Sequence, residues 1–581
     1  MLHIQKLLQA VGQQIYRLVQ FPYGGLLFWI LPLLLCNSGD SSLIAHDEGL
    51  YAWRSRQMLD SGDWVAPWGN AHHKTPGIYW LIAISYKLFG VSEASARLPS
   101  MIAGILCLFI LYEIGNIFLG KKVAWLAAAI LSVEFLWLQS CRLASPDVPM
   151  ILLVLFAILA FIKTELSRKY SHIWIFLAGL SFGLGFLLRS FMIFLPMAAL
   201  LPYLIGEHRR HRHLTNPMFY LGFLTGLIPT LIWLWLSWRR YGHLSFGELF
   251  KFVIDLSSED RNRNGLLFYV WNIPLKSFPW GFFSLLGLGL TIYRPIPRYH
   301  LILVGFPLVL FAELSLFSTR LSHYALCLYP FIALLAAVGL EWLSRIYDVA
   351  WKCGVNNPGG DVKFELWRCF GFQSYHNWRY ASTSKLKNTT LFYLAISAIR
   401  NLPRYLSYAF GVLGVVILLA SIVALNSLDV DIKKYAITAA ILGIGWLSLP
   451  VVWICRFHLQ QKVFTSRYWI ASWLIPCWLS LAVAGVLGLL GDYNPELRMF
   501  FQQRAIASIL QTHPVYFAQA DDKNSILLNF YTPIHGKRVN NLSEIPVFSY
   551  AWISAPKIET LSPNYRIIGS VKNYQLIQVL P

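Results

Sequence analysis

Residues 46–60 read HDEGLYAWRSRQMLD and follow an apolar run able to cross a membrane, so the pair Asp47-Glu48 falls at or just beyond its external exit. One sufficient reason for two acids there is local. Asp47 can cap a helix over 48–60 while Glu48 occupies its positive first turn. Other ionisable residues fall at the same predicted side, however. Asp147, in CRLASPDVPM, starts a span there, and Lys74, Arg97, Arg142, Arg189 and Arg320 lie at other external ends. Each cation alone can snorkel to lipid phosphate. A ring of them around one cleft, paired with carboxylates, suits a phosphorylated lipid as a reactant. His72 and His73 could hold a cation, but they are read here as ordinary surface histidines, and no metal site is predicted.

The elements that must position these residues follow from composition. Of 581 residues, 56% are hydrophobic and 13% charged, and mean hydropathy is +0.53. Soluble domains carry roughly 25% charged residues, so the chain reads as an α-helical polytopic membrane protein. Apolar runs place spans at 21–38, 98–119, 123–139, 148–163, 172–188, 190–205, 217–237, 278–292, 301–317, 323–341, 405–426, 435–455 and 469–490, about thirteen crossings. The N-terminal stretch lacks a short apolar core followed by a small-residue cleavage site, so 21–38 is read as a retained span. Residues 78–90 are too short to cross and suit an interfacial or re-entrant helix.

With the N terminus inside, the loops GKK, KTELSRK, GEHRRHRH, YRPIPR and RFHLQQKVFTSR become internal. They are dense in Lys and Arg, as the positive-inside rule expects. The net charge of +20 is therefore largely topology signal and does not point to nucleic acid. The eight cysteines are scattered singly, without the spacing of a zinc ribbon or a disulfide framework. The expected organisation is a catalytic module over 1–341 with external loops 39–97 and 238–277, a cytoplasmic insertion over 342–404, further spans over 405–490 and an external domain over 491–581. In the second loop, Leu249, Phe250, Phe252, Val253 and Leu256 share one helical face, as an interfacial helix requires. The tail carries short β-prone runs, SILLNFYTP, VFSYAWISA and YQLIQVL, separated by Asn, Pro and Gly, which predicts a small α/β domain.

The first external loop resembles that of the protein O-mannosyltransferase and aminoarabinose-transferase families, type C glycosyltransferases. Asp47-Glu48, Gly62-Asp63-Trp64, Lys74-Thr75-Pro76, Tyr79-Trp80-Leu81, Phe89-Gly90 and Arg97 to Ser100 occupy the family's signature places in order. Asp147 matches a second acid. LGFLLRSF, with Arg189, matches a Lys-Gly element, and STRLSHYALCLYPFIALL, with Arg320, His323 and Tyr324, matches a Lys-Leu-Pro-x-Tyr element. LLFYVWNIPLKSFPW matches the stretch before the eighth span. The likeness covers roughly residues 25–340. Arg189 and Arg320 stand where the family has Lys, Ser190 and Ser322 where it has Gly and Pro, and His73 where the aminoarabinose branch commonly carries an acid.

The resemblance implies a type C fold and a polyprenyl-phosphate-linked sugar donor, with a lipid, glycan or protein acceptor. It gives Asp47, Glu48 and Asp147 to the chemistry, with Asp47 as base and Glu48 orienting the loop. Lys74, Arg97, Arg189, Arg320, His323 and Tyr324 become the phosphate-binding set. No cofactor is obligatory; a divalent metal is compatible but not predicted. The implied location is the bacterial inner membrane, with the site facing the periplasm or exterior and membrane lipids as partners. Two other classes compete: a secondary transporter relaying protons through Glu113, Glu134 or Glu313, which would want paired repeats that the sequence lacks, and a lipid-binding scaffold, which would tolerate loss of Asp47.

Overall fold

The computed structural model describes residues 21–45, 48–258, 264–296, 298–355, 390–518, 525–554 and 564–581. A chain this apolar must bond its backbone to itself wherever lipid replaces water, and helices do so within one segment. Among the described residues eight helices are long and apolar enough to cross a membrane: Glu93–Leu119, Asp147–Leu166, Ser171–Ala199, Pro217–Tyr241, Ser322–Trp351, Ile399–Ala424, Val430–Phe457 and Ser466–Val486. Two bent pairs raise the number to ten. Lys121–Ser132 meets Phe135–Cys141 at 71°, and Phe268–Lys276 meets Trp280–Tyr293 at 114°.

The difference from about thirteen expected spans has local causes. Segments 21–38 and 301–317 form only the shorter helices Pro22–Leu35 and Leu301–Leu316. The two spans expected over 172–205 form one run, Ser171–Arg189, that breaks into a 3-10 turn at Ser190–Ile193 and two short pieces, Phe194–Ala199 and Leu201–Gly206. Pro202 has no N–H to continue the preceding helix and its ring crowds the carbonyl four residues back. The segment expected as an insertion is helical at both flanks, because Tyr329–Val355 runs into it and Thr390–Ala424 emerges from it; residues 356–389 lie outside the described residues.

Small residues set a close helix crossing. Gly179 and Gly183 face Gly222 and Gly226, and a Cβ on Gly179 would lie 2.0 Å from the Phe219 carbonyl oxygen. Such small-xxx-small pairs let backbones touch where no hydrophobic effect drives helices together. The crossing fixes Ser171–Arg189 and hence Arg189 at its end. A second contact brings the first loop to the same helix: a Cβ on Gly77 would lie 2.6 Å from the Leu187 carbonyl oxygen.

The short helix Gly77–Phe89 buries Ile78, Tyr79, Ile82 and Tyr86 and exposes Leu81, Ile84 and Leu88. That exposed apolar stripe suits a helix lying at an interface. On helix Leu244–Ser258, Leu249 is buried while Phe250 is exposed and contacts Phe191, so these two do not share one environment; the side chains of Phe252, Val253 and Leu256 lie outside the described residues.

The tail forms the expected small domain. Its strands are β1 (Val515–Ala518), β2 (His535–Val539), β3 (Tyr550–Ser554), β4 (Tyr565–Val571) and β5 (Tyr574–Val579), in sheet order β2-β1-β3-β5-β4. β1 pairs in parallel with β2 and β3, and β5 runs antiparallel to β3 and β4. The domain shares a core with the first loop: Leu497, Phe500, Leu527 and Trp552 pack in one cluster with Leu43, Tyr51, Met58 and Tyr79. Polar ties reinforce it. Asp492 Oδ1 accepts from Ser42 N at 2.8 Å and Ser42 Oγ at 2.6 Å, and Arg56 donates to the Phe530 carbonyl at 2.6 Å.

Candidate active site

The ends of these elements enclose a cavity of about 580 Å³ whose lining includes Glu48, Tyr51, His73, Lys74, Asp147, Arg189, Ser190, His323, Tyr324 and Tyr493. Each residue arrives by a different route. Asp147 is the first residue of Asp147–Leu166, Arg189 the last of Ser171–Arg189, and His323 and Tyr324 lie in the 3-10 turn Ser322–Leu328. Lys74 precedes Gly77–Phe89, where its N–H donates to His72 Nδ1 at 2.9 Å.

Opposite and like charges meet at the cavity. Arg189 meets Asp147 at 2.9 Å, and its guanidinium carbon stands 6.0 Å from the centre of the Tyr324 ring. Lys74 donates to the Tyr51 hydroxyl at 3.1 Å and lies 4.8 Å from that ring's centre. Two cations thus stand at one cavity, Arg189 against the Asp147 carboxylate and Lys74 against the Tyr51 phenol. Such a site accepts an anion through charge-assisted hydrogen bonds.

Asp47 lies outside the described residues. Glu48, grouped with the chemistry as the residue that orients the loop, is tied into the fold. It is 1% exposed and all its contacts are internal: Oε1 accepts from Arg97 Nε at 2.6 Å and Ala144 N at 3.0 Å, Oε2 from Arg97 Nη2 at 2.9 Å and Ile44 N at 3.1 Å. Arg97 spends its remaining donors on the carbonyls of Ser38, Ser41 and Ser42. The pair therefore joins residues 38–44, the start of Glu93–Leu119 and the loop before Asp147. Arg97 was expected among the phosphate ligands; its donors are taken, and it is absent from the cavity wall.

Arg320 departs in the same way. Its guanidinium donates to the carbonyls of Ser315 at 3.0 Å and Asn264 at 2.6 Å, and Asn264 Nδ2 donates back to the Arg320 carbonyl at 2.7 Å. It staples Asn264, from the segment before Phe268–Lys276, to the turn that carries His323 and Tyr324. Arg142 likewise donates to the carbonyls of Leu33, Leu34 and Cys36, capping Pro22–Leu35. His72 is not a surface residue: it is buried at 3% exposure. Burial, then the nearby Arg54 and His73, hold its imidazole well below the ordinary histidine range. Burial would raise Asp63, yet hydrogen bonds from Arg240 at 2.5 Å and Val65 N at 2.9 Å outweigh it and lower its pKa. Among the described residues, no group of three or more His, Cys, Asp or Glu is arranged to hold a metal ion.

Sequence reasoning missed three wall residues. Tyr51 follows Glu48 by one helical turn, a spacing that could have flagged it. Gln139 and Tyr493, which are hydrogen-bonded to each other, are 354 positions apart and carried no such signal. The transporter acids do not gather here: Glu113 bonds Tyr23, while Glu134 is fully buried in the 71° bend with neither oxygen bonded among the described residues.

The chain superposes on the crystal structure of ArnT from Cupriavidus metallidurans bound to undecaprenyl phosphate with a TM-score of 0.69, over 97% of this chain and 98% of that one, at 17% identity. The chain has the type C glycosyltransferase fold. The sequence family described as dolichyl-phosphate-mannose-protein mannosyltransferase matches residues 73–235. An uncharacterised protein of Aquifex aeolicus is 24% identical over 322 residues, which cover 53% of this chain and 62% of that protein. An undecaprenyl phosphate-alpha-4-amino-4-deoxy-L-arabinose arabinosyl transferase of Sodalis glossinidius is 29% identical over 357 residues, 57% of this chain and 61% of its own length. The chain thus spans about three fifths of the length of these curated relatives. The resemblance read from the first loop is borne out, and the type C fold extends beyond residue 340 into the C-terminal domain.

Proposed function

We propose that the chain is a membrane glycosyltransferase that moves a sugar from a polyprenyl-phosphate carrier to an acceptor hydroxyl at the external face of a bacterial inner membrane. The observation that carries this reading is the convergence of Lys74, Arg189, Asp147, His323 and Tyr324, from separate segments, on one cavity. The fold shared with a protein solved bound to undecaprenyl phosphate supports an undecaprenyl-type donor.

In the proposed step the acceptor oxygen attacks the anomeric carbon, the bond from that carbon to the phosphate oxygen breaks, and its electron pair leaves with the polyprenyl phosphate. The configuration inverts. Lys74 and Arg189 stabilise the departing anion, which needs cations more than a proton. Asp147 holds Arg189 in place at 2.9 Å. The hydroxyl proton passes to Asp47, a carboxylate with a reference pKa of about 3.9 that is ionised at neutral pH. The acceptor is a lipid A-like lipid, an envelope glycan or a protein, and the sugar a hexose or pentose.

Two measurements test this. Mass spectrometry of envelope lipids, glycans and proteins from cells with and without the chain should show one species losing a sugar. Purified Asp47→Asn should retain donor binding but lose single-turnover transfer by roughly a hundredfold or more, because Asn caps a helix about as well as Asp. Near-normal transfer in that variant defeats the reading.

A further inference from the structure

The two cations of the cavity come from segments far apart in sequence, and a single side-chain contact relates them. Lys74 is followed by Thr75, whose hydroxyl donates to the Phe186 carbonyl at 3.1 Å. Phe186 lies one turn before Arg189, the last residue of Ser171–Arg189, and residues three apart are neighbours on a helix surface. Thr75 is 1% exposed, and Lys74, Thr75 and Arg189 all line the cavity. Further along, Gly77 packs so close that a Cβ on it would stand 2.6 Å from the Leu187 carbonyl oxygen. Segment 74–77 therefore lies against the backbone of the last helical turn.

The helix does not need this hydroxyl to satisfy its backbone. The Phe186 carbonyl already accepts the N–H of Ser190, which sits at φ +53° as the chain leaves the helix. Removing the Thr75 donor leaves that carbonyl with a partner, so the large penalty of an unsatisfied buried acceptor does not arise. What the hydroxyl supplies is the placement of residue 75 against the helix end. Each cation also has a contact of its own: Lys74 Nζ donates to the Tyr51 hydroxyl at 3.1 Å, and Arg189 meets Asp147 at 2.9 Å. Those contacts aim each charge and do not relate one to the other. Thr75 does, since a planar peptide of fixed length joins it to Lys74 and one hydrogen bond joins it to the turn that ends in Arg189.

We propose that Thr75 is a positioning residue of the donor site, its hydroxyl fixing the spacing of Lys74 and Arg189 so that both reach the oxygens of one phosphate group. This role presupposes the donor reading of the cavity. Charges held in place bind an anion more tightly than the same charges free to drift, because less ordering remains to be done on binding.

The test uses the full chain in phosphatidylcholine nanodiscs, with undecaprenyl phosphate as probe and undecaprenol, which lacks the phosphate, as reference. Thr75→Val exchanges the hydroxyl for a methyl group and should melt like the wild type. Its affinity for undecaprenyl phosphate should fall by about three- to tenfold, the worth of one hydrogen bond, while its affinity for undecaprenol is unchanged. Thr75→Ser keeps the donor and should bind the phosphate like the wild type. In a Lys74→Ala background Thr75→Val should have no further effect, because with one cation gone there is no spacing left to hold; a merely structural threonine would cost the same in both backgrounds. The proposal is overturned if Thr75→Val binds undecaprenyl phosphate like the wild type, if Thr75→Ser is as weak as Thr75→Val, if undecaprenol binding falls in parallel, or if the loss is equal with and without Lys74. The donor reading itself fails, and this role with it, if the wild type binds undecaprenyl phosphate no more tightly than undecaprenol.

Discussion

The Glu48–Arg97 pair gives the sharpest test, because Glu48 was expected to orient the loop beside the base and its contacts are those of a support. In Glu48→Gln the side chain keeps its shape but loses its charge, and its new amide must face N–H groups of Arg97 or Ile44 that Glu48 now satisfies at 2.6–3.1 Å. Arg97 is then left as a cation at 1% exposure. Breaking one member of such a pair costs about 3–5 kcal/mol, a large part of the roughly 5–15 kcal/mol that holds a folded domain together. Arg97→Ala should cost as much, since it also strips a donor from the carbonyls of Ser38, Ser41 and Ser42. Removing both charges, as in Glu48→Gln with Arg97→Met, should cost less than the sum of the singles by about 0.5–3 kcal/mol, the range seen for contacting groups. The assay is unfolding in mixed micelles, scored beside single-turnover transfer by the folded fraction. Glu48→Gln that melts like the wild type yet cannot transfer sugar would refute the structural role and return Glu48 to the chemistry.

Lys74→Ala should weaken binding of polyprenyl phosphate by about 1.5–3 kcal/mol, one charge-assisted contact, without unfolding the chain; equilibrium binding to the purified variant measures it. Arg320→Ala should do the reverse, destabilising the second loop while the folded protein keeps its donor affinity, because its donors are bonded to the carbonyls of Asn264 and Ser315. Ser190 has φ +53°, a left-handed conformation that strains a side chain by about 1–3 kcal/mol; relief of strain should exceed the entropy that glycine adds to the unfolded chain, so Ser190→Gly should stabilise by about 1 kcal/mol, and a lower melting point would contradict this. His72 contributes to pH dependence with a fixed sign. Its folded pKa is depressed, so below about pH 6.5 the unfolded chain takes up a proton the folded one refuses. Stability should therefore be full above that pH and fall with acidification, and His72→Gln should flatten the slope measured between pH 7 and 5.

The sequence by itself determined what depends on composition and local order. Long apolar runs with few charges can only be helices in lipid, so the polytopic class and most spans were legible, as was the small mixed domain from its punctuated β-prone runs. The first loop's order of Asp-Glu, Gly-Asp-Trp, Lys-x-Pro and Arg-Leu-Pro-Ser was enough to point to the type C fold. What it could not settle was the use made of each charge, because a guanidinium that clamps phosphate and one that staples carbonyls have the same side chain at the same helix end. Only the folded chain separates Arg189, at the cavity beside Asp147, from Arg97 and Arg320, whose donors are consumed by carbonyls and by Glu48. The bend at Glu134, inside the span expected over 123–139, was decided there too, whereas the split at Arg189 was already legible in the sequence. The pairing of Gln139 with Tyr493, and the docking of the C-terminal domain on Tyr51 and Met58, join residues hundreds of positions apart. Local pattern carries no information about such contacts; they are fixed by which surfaces are left to bury once the helices have packed.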